Sequence, residues 1–371
     1  MKKIINIVFS LLFFCVLVIP AVTAEYGKNV QSELDNAYLP ELENITVENF
    51  NTEFSNYLDK RIGFRDEMLT AYQKLNDTLF DVMEHPTYMY GEDGFVFFKD
   101  TIYINTYQHL DLDAKGTKAF ADALLNFQNY VEGKGMDFLY FYIPDKETVY
   151  PEYYPKGVNV YGDLSRSDQI IDNLKKNGVN YLFTKDLMRE HKKIELVNNK
   201  KYDAGHWNQN GAFVSIQHLY DVLRQKWPQI EPLKKDEFNL STIIMESLPV
   251  SHFEINEEFV YYDLKQTTAV DKTAEFFKDV VISFPNHNKV HYENEQCADK
   301  PKLLIFGDSY LGGYERFFIN HFSEYTYIHR YNVYNQEFFE YYVDKVNPDI
   351  VIFENPERSH MIDLYVDKHL P

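Results

Sequence analysis

The chain is poor in cysteine: Cys15 and Cys297 are the only two among 371 residues. A small disulfide-stapled fold is excluded, and the core must come from ordinary burial. Basic residues are also scarce, with 37 Lys and Arg against 57 Asp and Glu, a formal net charge of -20. No Lys/Arg-rich run follows a phosphate backbone, which argues against nucleic-acid binding. A glycine-rich phosphate loop is missing, so no nucleotide cofactor is expected. Tryptophan is rare at 2, yet Tyr and Phe number 30 and 29. Hydrophobic residues make up 45%, enough for a substantial core, and disorder and collagen-like structure are excluded. The length suits one large or two modest domains.

Only one apolar run is long enough to concern a membrane. Lys2 and Lys3 precede Ile4–Ile19, interrupted by Asn6 and Ser10, and then Pro20 and Ala21-Val22-Thr23-Ala24 lead to Glu25. A charged start, apolar middle and small-residue end are the pattern of a secretory signal or N-terminal anchor over residues 1–24. The expected location is therefore extracellular or cell-surface. Cys15 follows Phe13-Phe14, an unsuitable setting for lipid attachment. Cys297 lies among Glu293, Glu295 and Asp299, which gives its thiol no electropositive surroundings.

Residues 25–100 read as a linker and helical lead-in. Within them Arg61–Asp66 opens an amphipathic helix to about Asp81, and Gly91–Gly94 turns into a strand at Phe95–Phe98. From 101 the pattern becomes α/β. Phe120, Leu124, Leu125, Phe127 and Val131 mark a helix over 114–134. Phe138–Ile143 is an apolar run stopped by Pro144, as in a buried parallel strand. A helix near 165–177 ends at Gly178, a strand follows at Val179–Phe183, and a helix runs from Asn208 to about Lys226. Later strands fall at Leu303–Phe306, Tyr325–Arg330 and Ile350–Phe353, with helices expected near 312–322 and 335–345. This alternation predicts a mainly parallel sheet covered by helices, with any site beyond the carboxyl ends of its strands. Residues 228–300 break the rhythm and read as an insertion or cap with its own strands.

Two short segments carry chemistry. Leu303–Phe306 runs directly into Gly307-Asp308-Ser309-Tyr310, which puts a hydroxyl at the end of a strand. A following helix could aim backbone N–H groups at an oxyanion there. Taken alone, such a turn is as readily a helix cap. The second segment is Tyr202-Asp203-Ala204-Gly205-His206-Trp207-Asn208. A serine hydroxyl attacks poorly until a base takes its proton, and that base needs a carboxylate to fix its tautomer. Asp203 and His206 can point the same way from one turn. His287-x-x-x-His291 with Glu293 and Cys297 has ligand-type residues, but Pro285, Asn286 and Asn288 disfavour the helix that would converge them, so no metal is expected.

The strand-Gly307-Asp308-Ser309 element with Asp203-x-x-His206 resembles the SGNH (GDSL-type) hydrolase superfamily. With the Asp/His pair ahead of the serine, it looks like the AlgX/AlgJ-like group that includes the DHHW proteins, which are linked to O-acetylation of exported polysaccharides. Arg61–Asp66, Gly91–Phe98, Ile143-Pro144-Asp145-Lys146 with Tyr150-Pro151-Glu152 and Pro155, and Pro348–Glu354 with Glu357-Arg358 resemble that group's other ordered motifs. The group commonly has Asp-x-His; here Ala204 and Gly205 both intervene, the spacing of ordinary SGNH enzymes.

The resemblance implies a permuted SGNH-like three-layer α/β/α sandwich over 101–371, with 228–300 inserted. It implies Ser309 as nucleophile, His206 as general base and Asp203 as its orienter. The Ser309 N–H is a natural oxyanion donor; Tyr310 N–H and the Asn208 side chain are further candidates. Glu354, Arg358 and His360 follow a strand on the same face and are rim or structural before they are catalytic. The expected function is an exported polysaccharide O-acetyltransferase without a cofactor, which requires a membrane partner to deliver acetyl groups. An esterase of the same fold and a non-catalytic glycan-binding or assembly protein are the alternatives.

Overall fold

The computed structural model describes residues 2–32, 37–42, 46–80, 82–85, 87–248, 254–280, 288–330 and 336–359. Two units partition the chain: residues 1–89 with 245–257, and 90–244 with 258–371.

The first unit is helical. Helix α1 spans Lys2–Val22, α2 Phe50–Arg61 and α3 Arg65–Phe80. The helix expected from Arg61 to about Asp81 is α3, which begins at Arg65 after a break at Ile62–Phe64, where Phe64 takes a left-handed backbone at φ 58.

The second unit is built on a seven-stranded sheet. Its strands, in chain order, are β1 Asp137–Ile143, β2 Tyr181–Phe183, β3 Val270–Asp271, β4 Lys289–Glu293, β5 Lys302–Gly307, β6 Glu324–His329 and β7 Ile350–Pro356. Their spatial order is β2-β1-β7-β5-β6-β4-β3. The first five are mutually parallel, with Phe306 opposite Phe353 and Phe353 opposite Tyr140. β4 and β3 extend the edge antiparallel, so the 228–300 segment contributes to the main sheet as well as forming a ribbon of Phe238–Ser247 with Glu254–Leu264. The fold is SGNH-like α/β.

Central strands are apolar on both faces because helices cover both. The longer helices of the unit are α4 Thr101–Gln108, α5 Ala114–Gly133, α6 Arg166–Asn177, α7 Gln209–Leu223 and α8 Gln336–Val346. On one face Phe120, Leu124 and Phe127 of α5, Ile170 and Leu174 of α6, and Phe339 and Val343 of α8 pack on Phe138, Tyr140, Leu304, Phe306 and Phe353. Phe127 stacks on Phe339 at 4.0 Å between centroids. On the other face Phe141 meets Trp207, just before α7, and Tyr220 of α7 meets Phe318 beside Tyr325. Boundaries follow local signals: Ser165 and Asp168 form a capping box on α6, and Gly178 at φ 71 ends it.

One expected element is absent. Instead of a helix over 312–322 the chain makes consecutive turns, with a single 3-10 turn at Glu315–Phe317. Gly313 sits at φ 85, and a Cβ on Gly312 would lie 3.0 Å from the Tyr327 hydroxyl. The backbone presses against β6 where a helix would need more room.

Candidate active site

β5 delivers Gly307, Asp308 and Ser309 to the carboxyl end of the sheet, where the chain turns sharply: the N–H groups of Leu311 and Gly312 both donate to the Asp308 carbonyl. Ser309 is exposed at the tip. Its Oγ lies 2.8 Å from His206 Nε2, and His206 Nδ1 lies 2.9 Å from Asp203 Oδ2. The other oxygen, Asp203 Oδ1, accepts the N–H groups of Gly205 and His206, each at 2.9 Å. A carboxylate facing Nδ1 holds the proton there, which leaves the Nε2 lone pair toward Ser309. Burial works against the Asp203 charge, but His206, its ring hydrogen bond and the two backbone donors outweigh burial and hold the carboxyl well below its usual range.

The loop bearing Asp203 and His206 is fastened from three sides. Lys146, fully buried, donates from Nζ to the carbonyls of Val96 (2.7 Å), Asp203 (3.0 Å) and Lys200 (3.1 Å). Trp207 Nε1 donates to the Tyr310 carbonyl at 3.0 Å. The Tyr310 hydroxyl in turn sits 2.7 Å from the Gly205 carbonyl. Position 205 must be small, since a Cβ there would be 2.6 Å from the Phe98 ring. Burial keeps the Tyr310 hydroxyl a neutral phenol, well above its usual pKa.

Arg358, just past β7, pairs with buried Asp145 and donates to the Tyr310 hydroxyl at 2.7 Å. Its Nη2 reaches to 3.4 Å from His206 Nε2, so a cation stands at the edge of the Ser309–His206 pair. Glu354 lies beneath the turn. It is buried, its Oε2 accepts the Asp308 N–H at 2.8 Å, and burial with the Asp308 charge raises its pKa well above the carboxylate range. Asp308 itself stays ionised, because Arg330 at 3.3 Å and Arg358 overcome the effect of burial. Glu354 therefore supports the turn and does not face a ligand.

Two oxyanion candidates have their donors engaged elsewhere. The Tyr310 N–H donates to Asp308 Oδ1 at 2.8 Å. The Asn208 side chain accepts the Gly211 N–H at 3.0 Å as the N-cap of α7 and donates to the Leu196 carbonyl. The Ser309 N–H has no acceptor among the described residues. His360 and His287 lie outside the described residues. His291 is buried, 2.8 Å from Thr326 Oγ1 and stacked on Phe276, and no metal-binding group occurs among the described residues. The Cys297 thiol is buried, which raises its pKa. Lys146 and Asp145 were not assigned roles from sequence; their signal was the Ile143-Pro144-Asp145-Lys146 motif, a charged pair just after an apolar strand.

A hydroxyl, imidazole and carboxylate stand in line at the carboxyl edge of a mainly parallel sheet whose fold is SGNH-like. Residues 89–253 match the family model described as SGNH hydrolase-like domain, acetyltransferase AlgX. Among solved structures, PatB1 of Bacillus cereus with a sulfonyl adduct aligns at TM-score 0.57 and 12% identity, covering 74% of this chain and 97% of that one. A DHHW family protein from Eubacterium siraeum aligns at TM-score 0.54 and 18% identity, covering 78% and 99%. At these identities the likeness is one of fold. No curated protein matches the chain by sequence.

Proposed function

We propose that this chain is an exported acetyl-transfer enzyme that moves an acetyl group through Ser309 to a hydroxyl of a cell-surface or secreted polysaccharide. The observation that carries it is the in-line contact of Ser309, His206 and Asp203, at 2.8 and 2.9 Å. The match of residues 89–253 to an acetyltransferase family model supports the same reading.

In the first half-reaction Ser309 Oγ attacks the acetyl carbonyl carbon while its proton passes to His206 Nε2. Asp203 supports the imidazolium. The negative charge gathers on the carbonyl oxygen, within reach of the Ser309 N–H. Collapse breaks the bond to the donor's leaving group, which takes the proton from His206, and acetyl-Ser309 remains. A sugar hydroxyl then attacks that ester, gives its proton to His206, and the proton returns to Ser309 Oγ as the acetyl group departs. An exported enzyme of this kind needs acetyl groups delivered across the membrane, which implies a membrane partner. Exposure of Ser309 admits water too, which favours an esterase as the second reading. Incubation with an acetyl ester and an oligosaccharide, read by mass, separates them: acetylated sugar supports transfer, free acetate alone supports hydrolysis.

A further inference from the structure

Helix α1 ends as part of the folded first unit, and this bears on what the unit touches. The last four carbonyls of a helix lack internal partners. Here Ile19 O accepts the Thr23 N–H at 2.9 Å, Pro20 O accepts the Gly63 N–H at 2.9 Å, and Ala21 O accepts the Tyr26 hydroxyl at 3.1 Å. Glu25 N–H donates to the Arg61 carbonyl at 2.9 Å. The Arg61 guanidinium, 3% exposed, donates to the carbonyls of Glu25, Gly27 and Pro40. Gly63 permits this approach, because a Cβ there would fall 2.0 Å from Thr23 Oγ1. Loss of residues 1–24 would strip the Gly63 N–H at the α2–α3 corner of its Pro20 acceptor, while the Glu25, Gly27 and Pro40 partners of Arg61 would stay.

That corner carries an inverted surface. Helix α3 buries Gln73 and, with Phe64 just before its first residue, exposes Met68, Tyr72, Leu75 and Leu79, each of the five 46–62% accessible. These residues lie within a single stripe at spacings of three and four. Helix α2 exposes Phe50, Phe54 and Leu58 every four residues in the same way. Helix α1 itself has a 20-residue apolar stretch, Lys3–Val22, none of it buried, about 30 Å long and sufficient to cross a bilayer.

We propose that residues 1–24 are a retained membrane anchor and that the apolar stripe of α3 lies in the outer lipid interface. The lipid is favoured as occupant because the stripe begins at Phe64, next to the glycine hydrogen-bonded to the anchor's last turn. A helix so tethered is held at the headgroup boundary, where aromatic and aliphatic side chains partition. Lys2 and Lys3 then mark the inner side. The inference is independent of the chemistry at Ser309.

The test uses the full chain. Intact mass of the protein purified from membranes reads the N-terminus. Leu75→Cys and, separately, Met68→Cys, in a Cys15→Ala, Cys297→Ala background, carry an environment-sensitive dye in phosphatidylcholine vesicles with a nitroxide lipid; Lys74→Cys is the control on the helix flank. Retained residues 1–24 with lipid quenching at 75 and 68, and water-like emission at 74, are expected. A chain starting near Glu25 overturns the anchor. Water-like emission at 75 and 68, or a blue shift without lipid quenching as a second copy or protein partner would give, overturns the lipid-facing stripe.

Discussion

The Tyr310 hydroxyl lies 2.7 Å from the Gly205 carbonyl, so the residue after Ser309 is tied to the residue before His206. Trp207, on the other side of the histidine, returns the tie through its indole N–H to the Tyr310 carbonyl. The pair of bonds brackets His206 and sets its distance to the serine. Tyr310→Phe keeps the buried ring but removes the hydroxyl that also receives Arg358. We expect a stability loss of about 1–3 kcal/mol in denaturant unfolding. Turnover should fall by about 10- to 100-fold as the histidine drifts, with KM little changed.

Asp203 holds the tautomer of His206. Asp203→Asn preserves the volume but faces Nδ1 with a group that no longer demands a proton there. Steady-state assay with an acetyl ester should show kcat lowered by about 10⁴-fold, with an unaltered melting profile apart from a modest shift.

Lys146 is buried with three carbonyls around its ammonium. Lys146→Met leaves those carbonyls without their donor and frees the Asp203 loop from the strand containing Val96. Unfolding should show a loss on the order of 3 kcal/mol, and residual activity should fall even where the protein remains folded.

Glu147 is buried, and burial followed by the Asp145 charge raises its pKa well above the carboxylate range. The folded state keeps its proton at pH values where the unfolded chain has released it. Stability from this group is complete below the unfolded value and declines as pH rises toward the folded one. Glu147→Gln removes that decline. The melting temperature of the variant should gain on wild type as pH is raised from the ordinary glutamate range toward neutrality and above; a constant difference would contradict it.

Much of the sheet was legible because its central strands are buried on both faces: Phe138–Ile143 and Leu303–Phe306 have no polar side to confuse their period. Asp203 and His206 were legible because their relationship is local. The turns after Ser309 were not: the apolar residues Phe317, Phe318, Ile319 and Phe322, all buried, mimic helical spacing, while close packing of Gly312 against Tyr327 decides otherwise. Asn208 was no more than a candidate, because an amide that caps a helix and one that donates to an oxyanion look alike in sequence. The three carbonyls around Lys146 come from chain positions 96, 200 and 203, a convergence only the tertiary structure creates.

The most direct measurement is rapid quenching of the protein with a chromogenic acetyl ester, followed by peptide mass analysis. One acetyl group on the peptide bearing Ser309, absent in Ser309→Ala and in His206→Ala, is the predicted result. Ester turnover by Ser309→Ala equal to wild type, or acetyl carried on another residue, would contradict the account.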